Sequence, residues 1–173
     1  MLLVKTAGEF PLPMKLTIER GALLKGLSHV QSVVERRQTV PVLSNVMLEA
    51  EGDTVSLTAT DMDIAIVEKA AAVVETPGTL TAPAHMMHDI VRKVPEGAQI
   101  SLEAADGGEG RLILRAGRSR FTLQTLPGED FPQMSGGDMP HVFTLSAADL
   151  RYLLDHTRFA ISTEETRYYL NGI

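Results

Sequence analysis

The chain has 173 residues, 44% of them hydrophobic and 22% charged, a balance that fits one globular domain or a little more and excludes wholesale disorder. Sixteen Lys and Arg face 22 Asp and Glu, for a net charge of −6; this excludes a nucleic-acid binder driven by a basic tail but leaves room for a local basic face. Cys is absent, which excludes disulfides, thiolate metal sites and a cysteine nucleophile, and with no Trp, 3 Tyr and 5 Phe there are too few rings for a base-stacking platform.

Residues 1–13 read as an extension without a fold signal, closed by Pro11 and Pro13. Their apolar run is too short for a secretory signal, and no stretch has the length of a membrane span, so a cytoplasmic, membrane-free protein is expected. From Met14 to Ile18 the pattern alternates as a strand does. A helix follows, with Leu23, Leu27, Val30 and Val34 on one stripe and Lys25, His29, Ser32 and Arg36 on another. Gly21 and Gly26 weaken that helix unless something packs close or tertiary burial carries it.

Strands are expected at 42–50 and 54–60, joined by a Glu51-Gly52-Asp53 hairpin, then a longer apolar run over 64–74 closed by Pro77-Gly78, and a short strand at 79–82. Pro83 can open a second helix, which Pro95 ends. That helix carries Met87, Ile90, Val91 and Val94 on one face and His85, His88 and Arg92 on another. Further strands are expected at 100–105, 111–116 and 119–126, the first two flanking the 106–110 loop. Residues 14–127 therefore read as an α+β domain, an antiparallel sheet covered on one side by two helices. The Gly-, Pro- and acid-rich residues 128–140 read as a linker, and 141–173 as a second, incomplete domain with a strand at 142–145 and a helix from 147 to about 161 capped by Ser146.

The second domain repeats the first. At an offset of 127 residues Thr17 falls on Thr144, Leu23 on Leu150, Leu27 on Leu154, Thr39 on Thr166 and Leu43 on Leu170, without a gap. Strand, helix and strand thus occur twice, as in a tandem of similar domains of which the second stops early.

Catalytic motifs are absent: no GxGxxG, P-loop, HExxH or GxSxG occurs. His85 and His88 could share a metal on one helix face, but without a third ligand at fitting spacing a polar face is the simpler reading, and no metal or cofactor is expected. Asp61 and Asp63 could form a carboxylate pair for hydrolysis, yet no acid–base or Lys partner accompanies them, and solvated loop acids are the simpler reading. Lys25, His29, Ser32 and Arg36, with Arg37 just beyond, and His85, His88, Arg92 and Lys93 are two candidate polyanion-binding faces, or else ordinary solvated faces. Contacts from them would meet phosphates rather than base edges, independent of sequence and sensitive to salt.

The segments MKLTIERGALLKGLSHV, TVPVLSNVMLEA, SLTATDMDIAI, GRSRFTLQTLPGEDFP and RYYLNG, in that order over 14–173, resemble the bacterial sliding clamps, the beta subunits of DNA polymerase III. The resemblance implies a DNA-clamp fold, antiparallel sheets outside and two helices per domain inside. Three such domains form a subunit and two subunits a ring around duplex DNA. The implied role is a non-catalytic processivity factor that tethers the polymerase III catalytic subunit, the clamp loader, other polymerases and repair proteins through short peptides. By the same resemblance Lys25, Arg37 and Arg92 are DNA-facing, Arg167, Tyr169 and Leu170 are part of a partner-peptide pocket, and Phe121 and Leu123 lie at the subunit edge. His85 and Met86 stand where basic residues are expected beside that edge, and Glu164 where a neutral residue is usual near DNA. From the residues alone, plain core alternation explains Phe121 and Leu123 equally well, and a protein-interaction scaffold of the same fold that does not bind DNA stands as the alternative.

Overall fold

The computed structural model describes residues 14–35, 39–105, 110–132, 140–170 and 172. The extension 1–13, the cations Arg36 and Arg37, loop residues 106–109 and linker residues 133–139 lie outside the described residues. The chain divides into two compact units, Met1–Met134 and Ser135–Ile173.

The first unit runs β1 (Lys15–Glu19), α1 (Arg20–Val30), β2 (Asn45–Glu51), β3 (Thr54–Thr60), β4 (Ala65–Ala71), β5 (Val73–Thr76), β6 (Gly78–Pro83), α2 (Ala84–Lys93), β7 (Gln99–Ala104), β8 (Arg111–Ala116) and β9 (Ser119–Gln124). The single expected sheet is two sheets, ordered β5-β1-β7-β8-β9 and β4-β3-β2-β6, with antiparallel pairing throughout. Alternation in β1, β2, β3, β7 and β8 sends Leu16, Ile18, Leu48, Val55, Leu57, Leu102 and Leu114 into one core, which Leu23, Leu27 and Val30 of α1 and Met87 and Val91 of α2 complete.

Division into two sheets follows from the run read over 64–74. Ala71 pairs with Thr54, the residue of β3 next to the Gly52-Asp53 turn, so β4 has no further partner in its sheet. The Ala72 amide donates to the Asp53 carbonyl at 2.9 Å, and one residue later the chain enters the other sheet, where Val73 and Val74 pair with Thr17 and Leu16. Residues 42–44, read as the start of a strand, lie in a 3-10 turn, Pro41–Ser44, opened by Pro41. A buried polar link ties β6 to the segment after β9: Asn45 Nδ2 donates to Thr81 Oγ1 at 2.9 Å, and Thr81 Oγ1 donates to the Leu126 carbonyl at 2.9 Å. Phe131, within the stretch read as linker, is buried after the Gly128–Asp130 turn.

Helix α1 lies close on β3. A Cβ at Gly26 would stand 3.3 Å from Leu57 Cδ1, so the glycine that costs helix propensity is what permits the approach. At the other end Glu19 caps the helix, its carboxylate accepting from the Ala22 amide at 2.9 Å. The Gly21 and Ala22 amides hold the Glu19 carboxyl below its ordinary value of 4.5.

In the second unit α3 (Ala147–Thr157) begins at Ser146, whose Oγ accepts from the Asp149 amide at 3.1 Å, and ends in a 3-10 turn, Arg158–Ala160, short of the expected 161. Residues 142–145 form no strand, contrary to expectation. Their counterpart β1 is a strand by virtue of pairing with β5 and β7, whose positions at the 127-residue offset lie past 173. Leu150, Leu153 and Leu154 of α3 are exposed.

Two outcomes follow for unit one. Leu57→Ala should destabilise it by about 2–5 kcal/mol in urea unfolding, against less than about 0.5 kcal/mol for exposed Val67→Ala. Because the Glu19 carboxyl is lowered on folding, the stability it contributes is complete above pH 4.5 and is lost as pH falls through the lowered value. Glu19→Gln should therefore unfold more easily than the native chain at neutral pH, and the two should converge in acid; a gap that persists unchanged in acid contradicts the cap.

Candidate nucleic-acid interface

Three contacts set the two helices of unit one antiparallel. At one end the Arg20 guanidinium donates to the Val91 carbonyl at 3.2 Å and the Arg92 carbonyl at 2.8 Å. Mid-helix, Ser28 Oγ lies 3.3 Å from His88 Nε2. At the far end His85 Nε2 meets the Val34 carbonyl at 2.8 Å. A cation at the first residue of α1 opposes that helix's own dipole, but here it closes the last carbonyls of α2, where a cation is favoured.

This arrangement assigns every sector of α1. At about 100° per residue, Leu23, Gly26, Leu27 and Val30 face the core. Arg20 and Ser28 face α2, while His29 faces β4, with Nδ1 2.6 Å from Glu68 Oε1. Lys25 lies about 200° round from Leu23, exposed and opposite the core. On α2, Met87 and Val91 are buried and Arg92 is exposed, its Nη2 3.5 Å from Asp89 Oδ1. The antiparallel ladder sets Lys25 between the levels of Arg92 and His88, and both described cations expected to face DNA are exposed on the helix pair. Arg37, the third, lies outside the described residues.

Of the proposed edge residues, Phe121 is 37% exposed on β9, the edge strand of its sheet among the described residues. It lines a cleft of about 530 Å³ with Met86, Ile90, His85 and Lys93 of α2. Leu123 is 2% exposed, so its side chain belongs to the core and its backbone is what the strand edge presents. In the second unit Arg167, Tyr169 and Leu170 lie on the 3-10 stretch Glu165–Leu170, all three exposed. Arg167 Nε pairs with Glu164 Oε2 at 3.0 Å.

The other candidates resolve into local structure. Asp61 Oδ1 accepts the amides of Asp63 at 3.0 Å and Ile64 at 2.8 Å, so it closes the β3–β4 turn in which Met62 takes φ 84°; Asp61 and Asp63 do not share a strand face. His85 and His88 bond different partners on α1 and its continuation. Arg20 was missed by sequence reasoning, since a basic residue opening a helix carries no signal for the distant carbonyls it caps.

A two-sheet unit with paired helices that present exposed cations defines the class of the chain, and comparison gives the family. Residues 14–135 match the DNA polymerase III beta subunit family in its N-terminal domain. The beta sliding clamp of Caulobacter vibrioides is 56% identical over 160 residues, covering 92% of this chain and 43% of that protein. A crystal structure of the C. crescentus beta sliding clamp superposes with a TM-score of 0.89 at 56% identity, covering 93% of this chain and 43% of that one. The Bartonella birtlesii sliding clamp bound to griselimycin gives a TM-score of 0.88 at 47% identity, covering 93% and 42%. The chain belongs to the DNA polymerase III beta subunit family, and it spans less than half the length of the relatives it matches. No described helix is long and apolar enough to cross a membrane.

Arg20→Ala should cost about 1–2 kcal/mol in chemical unfolding, because two carbonyls lose charged donors, and amide exchange should quicken at the C-terminal end of α2 ahead of the β2–β3 hairpin.

Proposed function

We propose that this chain supplies the first domain, and the opening of the second, of a processivity clamp for DNA polymerase III. The clamp encircles duplex DNA as a ring of two subunits, makes no covalent change to it and holds it by phosphate contacts independent of sequence. The observation that carries the reading is the pairing of α1 and α2, two neighbouring helices that each bury an apolar face in the core and on which Lys25 and Arg92 are exposed. With a chain charge of −6, attraction to DNA is confined to such a surface. Arg37 adds a third cation by family resemblance.

A ring held by topology needs only weak, mobile contacts, and phosphates offer the same contact at every base step. Tethering falls to the peptide pocket that Arg167, Tyr169 and Leu170 begin, which takes short linear segments of the polymerase, the clamp loader and repair proteins; an apolar anchor in such a pocket carries most of the affinity. Phe121, Met86 and Ile90 beside the open β9 edge suit the joint with a second subunit, through apolar contact where the family resemblance leads one to expect basic side chains. Work on replicating DNA places the protein in the cytoplasm.

The test is titration of the 173-residue chain with a blunt duplex at low salt, followed by backbone amide shifts. Shifts should map to α1 and α2, fade as salt rises, and weaken in Lys25→Glu and Arg92→Glu. Binding that ignores both reversals removes the DNA reading and leaves the scaffold of the same fold.

A further inference from the structure

Two acids pair with residues of the helix pair. Asp89 Oδ1 lies 3.5 Å from Arg92 Nη2 and 3.9 Å from His88 Nδ1. Glu68, from β4, lies 2.6 Å from His29 Nδ1 on the flank of α1 away from α2. Lys25, exposed on α1, makes no ion pair among the described residues. Both acid-linked pairs are substantially exposed, and pairs of that kind add little to folding. Asp89 and Glu68 act chiefly on what approaches from solvent.

A phosphate near Arg92 meets a charge already partly neutralised by Asp89. One near His29 meets the Glu68 carboxylate whichever way the imidazole proton is placed. We propose that Asp89 and Glu68 are attenuating residues of the phosphate-binding surface: they keep its wells shallow, so that the duplex is attracted but can move along the face. This rests on the DNA reading above and specifies how its grip is limited. Lys25 is then the unmasked contact, and Arg92 a partly masked one.

The experiment uses the 173-residue chain and the same duplex, measuring affinity across a salt series for Glu68→Gln, Asp89→Asn and, as a control of equal charge change, Glu103→Gln. Glu103 pairs with Arg115 at 2.6 Å on the five-stranded sheet, away from the helix pair. Each of the first two should tighten binding about two- to fivefold at low salt and steepen the salt dependence by up to about 0.9 in slope for each additional phosphate neutralised. Glu103→Gln should change neither. Unchanged thermal unfolding of these isosteric variants separates the effect from a change in fold.

If all three tighten equally, the effect is net charge alone and the proposal fails. If neither Glu68→Gln nor Asp89→Asn tightens while Lys25→Glu and Arg92→Glu still weaken binding, attenuation fails and the DNA reading stands. Tightening by one acid alone withdraws the role from the other. Absence of native binding removes both readings.

Discussion

Helix α1 can lie against β3 because position 26 has no side chain, with Leu57 immediately beneath it. Much else in the first unit depends on that approach. It buries Leu23, Leu27 and Val30 together, it brings His29 to Glu68 on β4, and it leaves Lys25 exposed on the side away from the core. Arg20 then locks the helix pair by closing the carbonyl end of α2, and the His85 contact holds the far end. A side chain inserted at position 26 would press on the Leu57 methyls, which would have to give by a few tenths of an ångström in a closely packed interior.

Electrostatics and packing share one geometry here. An acidic chain can attract a polyanion only where cations are gathered and the remaining surface is turned away. The helices supply cations by ordinary amphipathicity: beside each buried stripe the surface is solvent-facing, and Lys25 and Arg92 are exposed there. The cations need no partner in the fold to be placed correctly. Asp89 and Glu68 pair with Arg92 and His29 of the same two helices.

Legibility in the sequence varied with the range of the interactions involved. The Gly52 hairpin was plain because the turn is local and Gly52 sits at φ 60°. Helices α1 and α2 were plain from their apolar spacing, and Pro83 marked the start of the second. The run over 64–74 was not legible as two strands: its alternation continues across Ala72, and only the end of β3 dictates the change of sheet. Residues 142–145 put Phe143 and Leu145 where β1 has Leu16 and Ile18, but a strand is a pairing, and the partners of their counterpart lie far along the chain. Leu123 reads the same in sequence whether it faces a second subunit or the core, and packing put it in the core.

By itself the sequence determined the α+β class, most elements of the first unit, the repeat at 127 residues, the family resemblance and the cations of the two helices. These follow from periodicity and residue type, which act over a few positions along the chain. The tertiary structure alone decided that the strands form two sheets, that Arg20 closes α2, that Asp61 is consumed by a turn, and that Glu68 of β4 meets His29 of α1. Each of those depends on which distant segments meet, and solvent exclusion around a common core chooses the meeting by a sum over many contacts that no short stretch of sequence contains.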